Sequence, residues 1–254
     1  MGITHYLVTS FYVKNQMNDA LPSEEWLKER IILFENYCLP SVVGQTCQSF
    51  VWSIFCDYGS PDWLLRYLED LLVPQIKVVL VKGRINGDVV RNSLENETRT
   101  SRTLTTRLDN DDAIASNFVE RLQGSVIGES TVAVNFTHGL QITPMGLLWT
   151  RNLGSAFISV LDKSVNGPRT VFDFDHQLVG DSINVKQIGG SPGWMQVIHG
   201  GNVLNRAHGI PASRRRHRLL FPAVKHAPFF DFRGYLKEVR PFRLLKNSLF
   251  RRFK

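Results

Sequence analysis

Apolar and polar residues along the first half of the chain form alternating blocks that predict strands and helices in turn. Runs rich in aromatic and β-branched residues predict strands, and stretches whose apolar residues recur every three or four positions predict helices. Ser23 is expected to cap the first helix and Pro40 to limit it. Strand–helix repetition of this kind indicates an α/β fold with a mainly parallel sheet. The predicted strands are 6–12, 50–56, 77–81 and 104–108, and the predicted helices start at Ser23, Pro61, Asp88 and Ala113.

Beyond about residue 130 the pattern changes to short predicted strands separated by Gly, Pro and Asn, with no long helix. These strands are 131–136, 146–150 and 170–174. From about residue 212 the alternation stops, and a basic segment with interleaved aromatic residues follows. We therefore expect a single α/β domain with a mixed, mainly parallel sheet over residues 1–212, and a basic C-terminal tail over residues 213–254.

The composition is that of a globular protein. Hydrophobic residues make up 43% and aromatic residues 11% of the 254 residues, which excludes a disordered chain. No apolar run approaches the length of a membrane-spanning helix, and the N-terminus lacks the basic and apolar regions of a signal peptide. Cys38, Cys47 and Cys56 have no metal-ligand spacing and fit reduced thiols. We therefore expect a cytoplasmic protein.

The net charge of +7 is unevenly distributed along the chain. Residues 213–254 carry 13 Lys and Arg against 2 Asp and Glu, a net charge of +11, so the preceding residues carry −4. Within the tail, 235–253 places apolar residues along one helical face, which Pro241 interrupts. Basic residues beside Leu and Phe fit docking on an anionic membrane surface. Two other interpretations are a segment that packs on the acidic body, and a nucleic-acid-binding arm, which is disfavoured because no recognition motif accompanies it.

The sharpest candidate for chemistry is the acidic cluster Asp109-Asn110-Asp111-Asp112, which follows the predicted strand 104–108. Open α/β sheets bind ligands at the carboxyl ends of their strands. A tight turn could direct Asp109 and Asp111 to one point, where Mg²⁺ or Mn²⁺ would offset their repulsion and hold a diphosphate. The alternative is an Asx turn that caps the next helix, and Asp112 is expected to be the cap in either case.

A second carboxylate, Asp57, follows the predicted strand 50–56. It can accept hydrogen bonds from a base or a ribose, and Gly59 beside it allows a ligand to approach the backbone closely. The alternative is a plain turn that caps the helix starting at Pro61.

The two acidic sites, in this order on successive strand–helix units, resemble those of sugar-nucleotide-dependent glycosyltransferases of the A-type, Rossmann-like fold, and specifically a rhamnosyltransferase family. The resemblance runs from about residue 4 to about residue 209 and omits the basic tail. It implies a nucleotide-binding half over about 1–125 and an acceptor half over about 126–212, with Asp57 on the nucleoside. The segments that carry it are WLKER (26–30), YCLPSV (37–42), QTC (45–47), FVW (50–52) with Asp57, TTRLDNDDA (105–113) and WMQVIHGGN (194–202).

The resemblance also implies a nucleotide-diphosphate sugar donor, dTDP-rhamnose, and a divalent ion, Mn²⁺ or Mg²⁺. Asp109 and Asp111 would form a D-x-D pair that binds the ion and, through it, the donor diphosphate. His199 lies in a Gly-rich loop and would be a third metal ligand or a phosphate contact. The alternative for a single histidine in such a loop is a surface or packing residue. Arg102 is expected to add positive charge there, in preference to Arg107, which lies within the predicted strand.

An inverting transfer needs a base that takes the proton from the acceptor hydroxyl as it attacks the anomeric carbon. Alternation along the predicted strand 170–174 and just beyond it places Asp173 and Asp175 on one face, and Asp175 is the preferred base. His176 and Asp162 are further candidates. The alternative is a half-exposed strand whose polar face meets water.

The main hypothesis is therefore a metal-dependent, inverting glycosyltransferase that moves a deoxyhexose, rhamnose, to a glycan or lipid-linked acceptor, attached peripherally to the inner face of the membrane. Two alternatives remain. One is a metal-dependent phosphoryl-transfer enzyme or nuclease whose basic tail binds nucleic acid, although nucleases generally need more converging acids than lie near Asp109. The other is a non-catalytic protein that binds nucleotide sugars.

Overall fold

The computed structural model describes residues 2–14, 19–94, 102–128, 130–164, 167–176, 178–199, 207–225 and 228–238, and every structural statement below concerns these residues. Three sequence predictions fall partly outside them. These are the end of the helix predicted from Asp88, the glycines after His199 and the amphipathic face of the tail beyond residue 238.

Strands and helices alternate through the first half of the chain, as the hydrophobic pattern predicts. The strands are β1 (Thr4–Tyr12), β2 (Val51–Asp57), β3 (Ile76–Val81), β4 (Thr103–Arg107), β5 (Ala113–Ile114), β6 (Val132–Phe136), β7 (His138–Thr143), β8 (Gly146–Arg151), β9 (Ser159–Asp162), β10 (Val185–Ile188), β11 (Trp194–Val197) and β12 (Ile210–Pro211). The α-helices are α1 (Glu24–Leu33), α2 (Leu39–Val43), α3 (Asp62–Asp70), α4 (Gly87–Leu94), α5 (Phe118–Ser125), α6 (Arg214–Leu220) and α7 (Phe232–Glu238).

The strands form a larger and a smaller sheet. The larger sheet has the order β10-β6-β9-β4-β1-β2-β3, in which β4, β1, β2 and β3 are parallel neighbours and β9 runs antiparallel to both β4 and β6. The smaller sheet has the order β12-β8-β7-β11-β5. The predicted α/β class with a mixed, mainly parallel sheet is confirmed.

The main core lies between the larger sheet and the helices that cover it. Strands β1 and β2 are buried almost throughout, as expected for near-continuous apolar strands inside an α/β sheet. Trp52 at the centre of this core donates its indole N–H to Thr9 Oγ1 at 2.9 Å, so its polar atom is satisfied.

The first helix begins where the sequence predicts, because Ser23 Oγ accepts the backbone N–H of Trp26 at 3.2 Å. We expected this helix to end at Pro40, but the helical path continues through that residue. A π-helical turn over Phe34–Cys38 leads into α2, whose first turn contains Pro40. A proline is tolerated in a first helical turn, where its missing N–H would have no intrahelical partner.

Two predicted elements are wrong. Residues Ala113–Ile114 form strand β5, which pairs with β11, and the helix α5 starts only at Phe118. The predicted strand 170–174 is a 3₁₀ turn over Val171–Asp173 instead. Cross-strand pairing in the first case and a capping box in the second override the local pattern.

Part of the segment that we assigned to the basic tail packs on the body. Phe221 and Val224, just after α6, are buried against Met195 and other residues of the smaller sheet. Tyr235 in α7 is also buried and donates its hydroxyl to the Gly209 carbonyl at 2.8 Å. None of the helices in the described ranges is long and apolar enough to cross a membrane.

Candidate functional site

The two acidic sites meet at one edge of the larger sheet. Asp57 is the last residue of β2, and Asp109 and Asp111 follow β4. Strand β1 lies between β2 and β4 and is parallel to both, with Val8 opposite Ser53 on one side and Arg107 on the other. The carboxyl ends of the three strands therefore share the edge at which open α/β sheets bind ligands.

Asp57 ties together the turns after β2 and β3. Its Oδ1 accepts the backbone N–H of Gly59 at 2.8 Å, and its Oδ2 accepts that of Gly83 at 2.7 Å. Gly83 has a φ of 86°, in the left-handed region that favours glycine. Asp57 thus fixes the backbone on one side of the candidate site.

Asp111 is the centre of the candidate site. Its Oδ2 contacts the guanidinium of Arg30 and lies 3.0 Å from His199 Nε2. Burial acts to raise the pKa of Asp111, but the hydrogen bond from His199 and the charge of Arg30 outweigh it and lower that pKa. The carboxylate is therefore held in its ionised form, and the predicted partners Asp111 and His199 are brought together.

Arg30 belongs to the site although sequence reasoning missed it. It is only 8% exposed, and the ring of Trp26 lies 4.6 Å from its guanidinium. The signal in the sequence is the spacing of Leu27, Arg30 and Phe34, which stand three and four positions apart, so that Arg30 shares a helical face with two apolar residues. In the structure this face is buried, and a buried arginine needs an acidic partner, which here is Asp111.

We predicted that Asp112 caps a helix, but this is wrong, because the strand β5 follows it. Its Oδ1 accepts the backbone N–H of Val197 at 2.8 Å, near the end of β11. Burial and the charges of Asp111 and Asp109 raise the pKa of Asp112 well above its usual range. Asp112 thereby connects the acidic cluster to the strand that leads to His199.

Asp109 is paired with the strand residue Arg107. Arg107 donates from Nε to Asp109 Oδ1 at 3.0 Å and from Nη2 to Oδ2 at 3.2 Å. The charge of Asp109 raises the pKa of Arg107, and Asp112 and Asp175 contribute to that shift. Because charges act strongly only over short distances, Asp175 lies near the Arg107–Asp109 pair.

Asp173 and Asp175 have different surroundings and do not share a strand face. Asp173 accepts hydrogen bonds from Arg91 Nη2 at 3.0 Å and from Thr170 in the capping box of the 3₁₀ turn. Asp175 is more exposed, and its Oδ1 lies 3.6 Å from His176 Nδ1. Burial and the charge of Arg107 lower the pKa of His176, so its imidazole is neutral at physiological pH.

Arg102 and Asp162 are not brought to the acidic cluster. Arg102 immediately precedes β4, whereas Asp109 follows it, and its guanidinium donates to the Val126 carbonyl. Asp162 pairs with Thr103 at the start of β4 and forms an ion pair with Arg169 at 3.1 Å. Both residues therefore lie at the opposite edge of the sheet.

No three His, Cys, Asp or Glu side chains within the described ranges converge closely enough to hold a metal ion by themselves. Asp111 and His199 could supply a carboxylate oxygen and an imidazole nitrogen, both of which suit Mn²⁺. Mg²⁺-type sites commonly use one or two carboxylates and take their other ligands from water and substrate phosphates. The donor set therefore fits an ion shared between the protein and a diphosphate.

Solved structures resemble this fold at low sequence identity. S. aureus TarS 1–349 in complex with UDP-GlcNAc aligns with a TM-score of 0.47 and 10% identity, over 80% of this chain and 60% of that one. HddC from Yersinia pseudotuberculosis aligns with a TM-score of 0.42 and 11% identity, over 77% of this chain and 93% of that one. The chain thus spans 60% of the TarS fragment's length. No curated protein matches the sequence significantly.

A family of known proteins matches most of the chain. The sequence profile described as "putative rhamnosyl transferase" matches residues 13–210. The match contains the acidic cluster, Asp57, Arg30 and His199, and it ends before α6. The resemblance drawn from the sequence is confirmed, and the chain belongs to this rhamnosyl transferase family of glycosyltransferases.

Proposed function

We propose that the chain is a metal-dependent, inverting glycosyltransferase that moves rhamnose from dTDP-rhamnose to a glycan or lipid-linked acceptor. The observation that carries this proposal is the contact of Asp111 with both Arg30 and His199 at the carboxyl edge of the larger sheet, the edge at which Asp57 and Asp109 also stand. Family membership favours this function over a nuclease or a protein without catalytic activity.

The metal ligands in this proposal are Asp111 and His199, with Asp109 two residues away on the same turn. When bound, Mn²⁺ or Mg²⁺ would act as a Lewis acid and offset the charge of the departing nucleoside diphosphate. The guanidinium of Arg30 contacts Asp111 Oδ2, the oxygen that His199 also contacts, and the burial of Arg30 fixes its position. It orients the carboxylate and adds a permanent positive charge beside the diphosphate.

The donor nucleoside is proposed to lie beside Asp57. Each oxygen of this carboxylate accepts one backbone N–H and retains a lone pair that can accept a further hydrogen bond. At Gly83 no atom lies within 4 Å of the place where a Cβ would stand, so the backbone there is open to a planar base. Asp57 would therefore position both the turn backbone and the nucleoside.

Asp175 is the proposed base, and Asp173 is a positioning residue. In the reaction, the acceptor oxygen forms a bond to the anomeric carbon while the bond from that carbon to the diphosphate oxygen breaks. The nucleoside diphosphate leaves with the electron pair, and Asp175 takes the proton of the acceptor hydroxyl. Asp173 already accepts hydrogen bonds from Arg91 and Thr170, and it fixes the turn that carries Asp175.

We also propose that the C-terminal segment attaches the enzyme to an anionic membrane. Phe229 and Phe232 are 81% and 61% exposed, and Leu219 on α6 is exposed as well. These apolar side chains accompany the basic residues of α6, and the guanidinium of Arg214 lies 4.3 Å from the Phe229 ring centre. Exposed aromatic residues beside arginines fit the interface of an anionic bilayer.

The donor is tested by calorimetric titration of the full-length chain with dTDP-rhamnose, dTDP-glucose and UDP-GlcNAc, each with Mn²⁺ present. The proposal predicts that dTDP-rhamnose binds at least about tenfold more tightly than either of the others, since a hydrogen-bonded site rejects mismatched hydroxyl groups. Tighter binding of UDP-GlcNAc or dTDP-glucose would reject rhamnose as the transferred sugar.

A further inference from the structure

Three basic side chains and a buried histidine surround a pocket on the C-terminal segment. The pocket has a volume of about 250 Å³ and shares no residue with the acidic cluster. Its lining residues are Arg214, His217, Arg218, Pro222, Val224 and Lys225.

The pocket is built on a packed scaffold. On α6, Arg214, His217 and Arg218 stand three and four residues apart and so lie on one helical face. The turn after α6 contributes Lys225, and Val224 beside it is buried in the core of the smaller sheet. The backbone positions that carry the basic side chains are therefore set by the fold.

Two of the three basic side chains in this pocket, Arg218 and Lys225, have no carboxylate as an ion-pair partner within the described ranges. His217 is 2% exposed, and its Nε2 has no hydrogen-bond partner in the part of the chain that the structure describes. Burial, together with the charges of Arg214 and Arg218, lowers the pKa of His217 to about 4. The pocket thus has a positive potential that an anion would relieve.

We propose that this pocket binds a phosphate group, held by Arg214, Arg218 and Lys225 against His217. Phosphate offers several acceptor oxygens and a negative charge, and guanidinium groups bind it with charge-assisted, paired hydrogen bonds. The phosphate could belong to a lipid headgroup or be free in solution. Leu219 and Phe229, exposed beside the pocket, would contact the acyl region in the first case.

Two binding measurements on the full-length chain separate these sources. In one, inorganic phosphate is titrated into protein with ¹⁵N-labelled histidine, and the imidazole resonances of His217 are followed by NMR. In the other, the protein is co-sedimented with phosphatidylcholine vesicles that contain or lack phosphatidylglycerol. A saturable shift of His217 with phosphate indicates free phosphate, and binding only to the phosphatidylglycerol vesicles indicates a headgroup.

The test variant combines Arg218→Gln with Lys225→Gln, and the control combines Lys28→Gln with Arg66→Gln. All four side chains are exposed, and each pair removes the same charge. We expect the pocket variant to lose at least about tenfold in affinity for whichever form binds, since each charge-assisted hydrogen bond contributes more than the free energy of a tenfold change. The control should bind like the native chain. Binding in neither measurement, or equal affinities of the two variants, would overturn the proposal.

Discussion

His199 Nε2 lies 3.0 Å from Asp111 Oδ2, although 88 residues separate them along the chain. The antiparallel pairing of β5 with β11 brings the two segments together, and the bond from Val197 N–H to Asp112 fixes the end of β11. A histidine from the second half of the chain thereby completes a site whose acids come from the first half.

The buried ion pair between Arg30 and Asp111 predicts a large effect of Arg30→Gln on stability. Removing the guanidinium leaves an ionised carboxylate buried without its main counter-charge, which costs about 3 kcal/mol. Urea unfolding at neutral pH measures this loss. Lys28→Gln on the same helix removes only the exposed pair with Glu24 and should change the free energy of unfolding by less than about 0.5 kcal/mol. Equal losses of unfolding free energy for the two substitutions would contradict the claim that Arg30 neutralises a buried carboxylate.

The different surroundings of Asp173 and Asp175 predict different phenotypes for their asparagine variants. Asp175→Asn should lower kcat by about 10²–10⁴-fold with little change in KM for the donor, because it removes only the base. Asp173→Asn should lower thermal stability, since its partners Arg91 and Thr170 belong to the fold. Steady-state kinetics and thermal unfolding of both variants measure this. A kcat of Asp175→Asn close to that of the native enzyme would assign the base to another residue.

His5 makes the stability of the fold depend on pH. Burial lowers the pKa of His5 from 6.5 to about 3, so the folded chain keeps this imidazole neutral while the unfolded chain protonates it. The unfolded state therefore binds more protons between these two values, and stability falls as the pH decreases through 6.5.

We expect the native chain to lose about 2 kcal/mol of unfolding free energy from this group between about pH 7 and about pH 5. Urea unfolding of the native chain and of His5→Gln at both pH values measures the effect. The variant should show a correspondingly smaller pH dependence, and equal slopes for the two proteins would refute this role of His5.

Membrane attachment predicts that the final basic residues strengthen binding to anionic vesicles. Phe221 and Val224 are buried, so a chain shortened at residue 212 would lose part of its core. Ending the chain after residue 238 instead removes six Lys and Arg. We expect this truncation to weaken salt-sensitive binding to phosphatidylglycerol vesicles by at least about tenfold, since each basic residue near the surface contributes about 1 kcal/mol. Co-sedimentation measures it, and unchanged binding would exclude attachment through these residues.

Much of the fold could be predicted from the sequence because its signals are local. The buried strand patterns of β1 and β2, and the cap at Ser23, depend on neighbouring residues and were predicted within one or two positions. Residues 113–122 have a helical pattern, yet Ala113–Ile114 pairs with β11 about eighty residues later. A local sequence pattern cannot show a pairing over this distance. We therefore placed the start of the helix too early and wrongly assigned its cap to Asp112.

The site was predicted in part for the same reason. Asp57, Asp109 and Asp111 stand at strand ends, and parallel topology alone brings strand ends to one edge. The partners of these acids depend on packing, which places Arg30 beside Asp111 and leaves Arg102 at the opposite edge. The strand face predicted for Asp173 and Asp175 failed because a capping box bends the chain there.

Calorimetric titration of dTDP into the full-length chain, with Mn²⁺ and with a chelator, tests the central claim most directly. Our account predicts that dTDP binding requires Mn²⁺. It also predicts that Asp111→Asn weakens this binding by at least about tenfold, because the variant lacks the negatively charged carboxylate that would bind the ion. Asp88→Asn, at an exposed position of α4, serves as the control and should bind like the native chain. Equal binding without Mn²⁺, no binding at all, or an Asp111→Asn variant with native affinity would contradict the account.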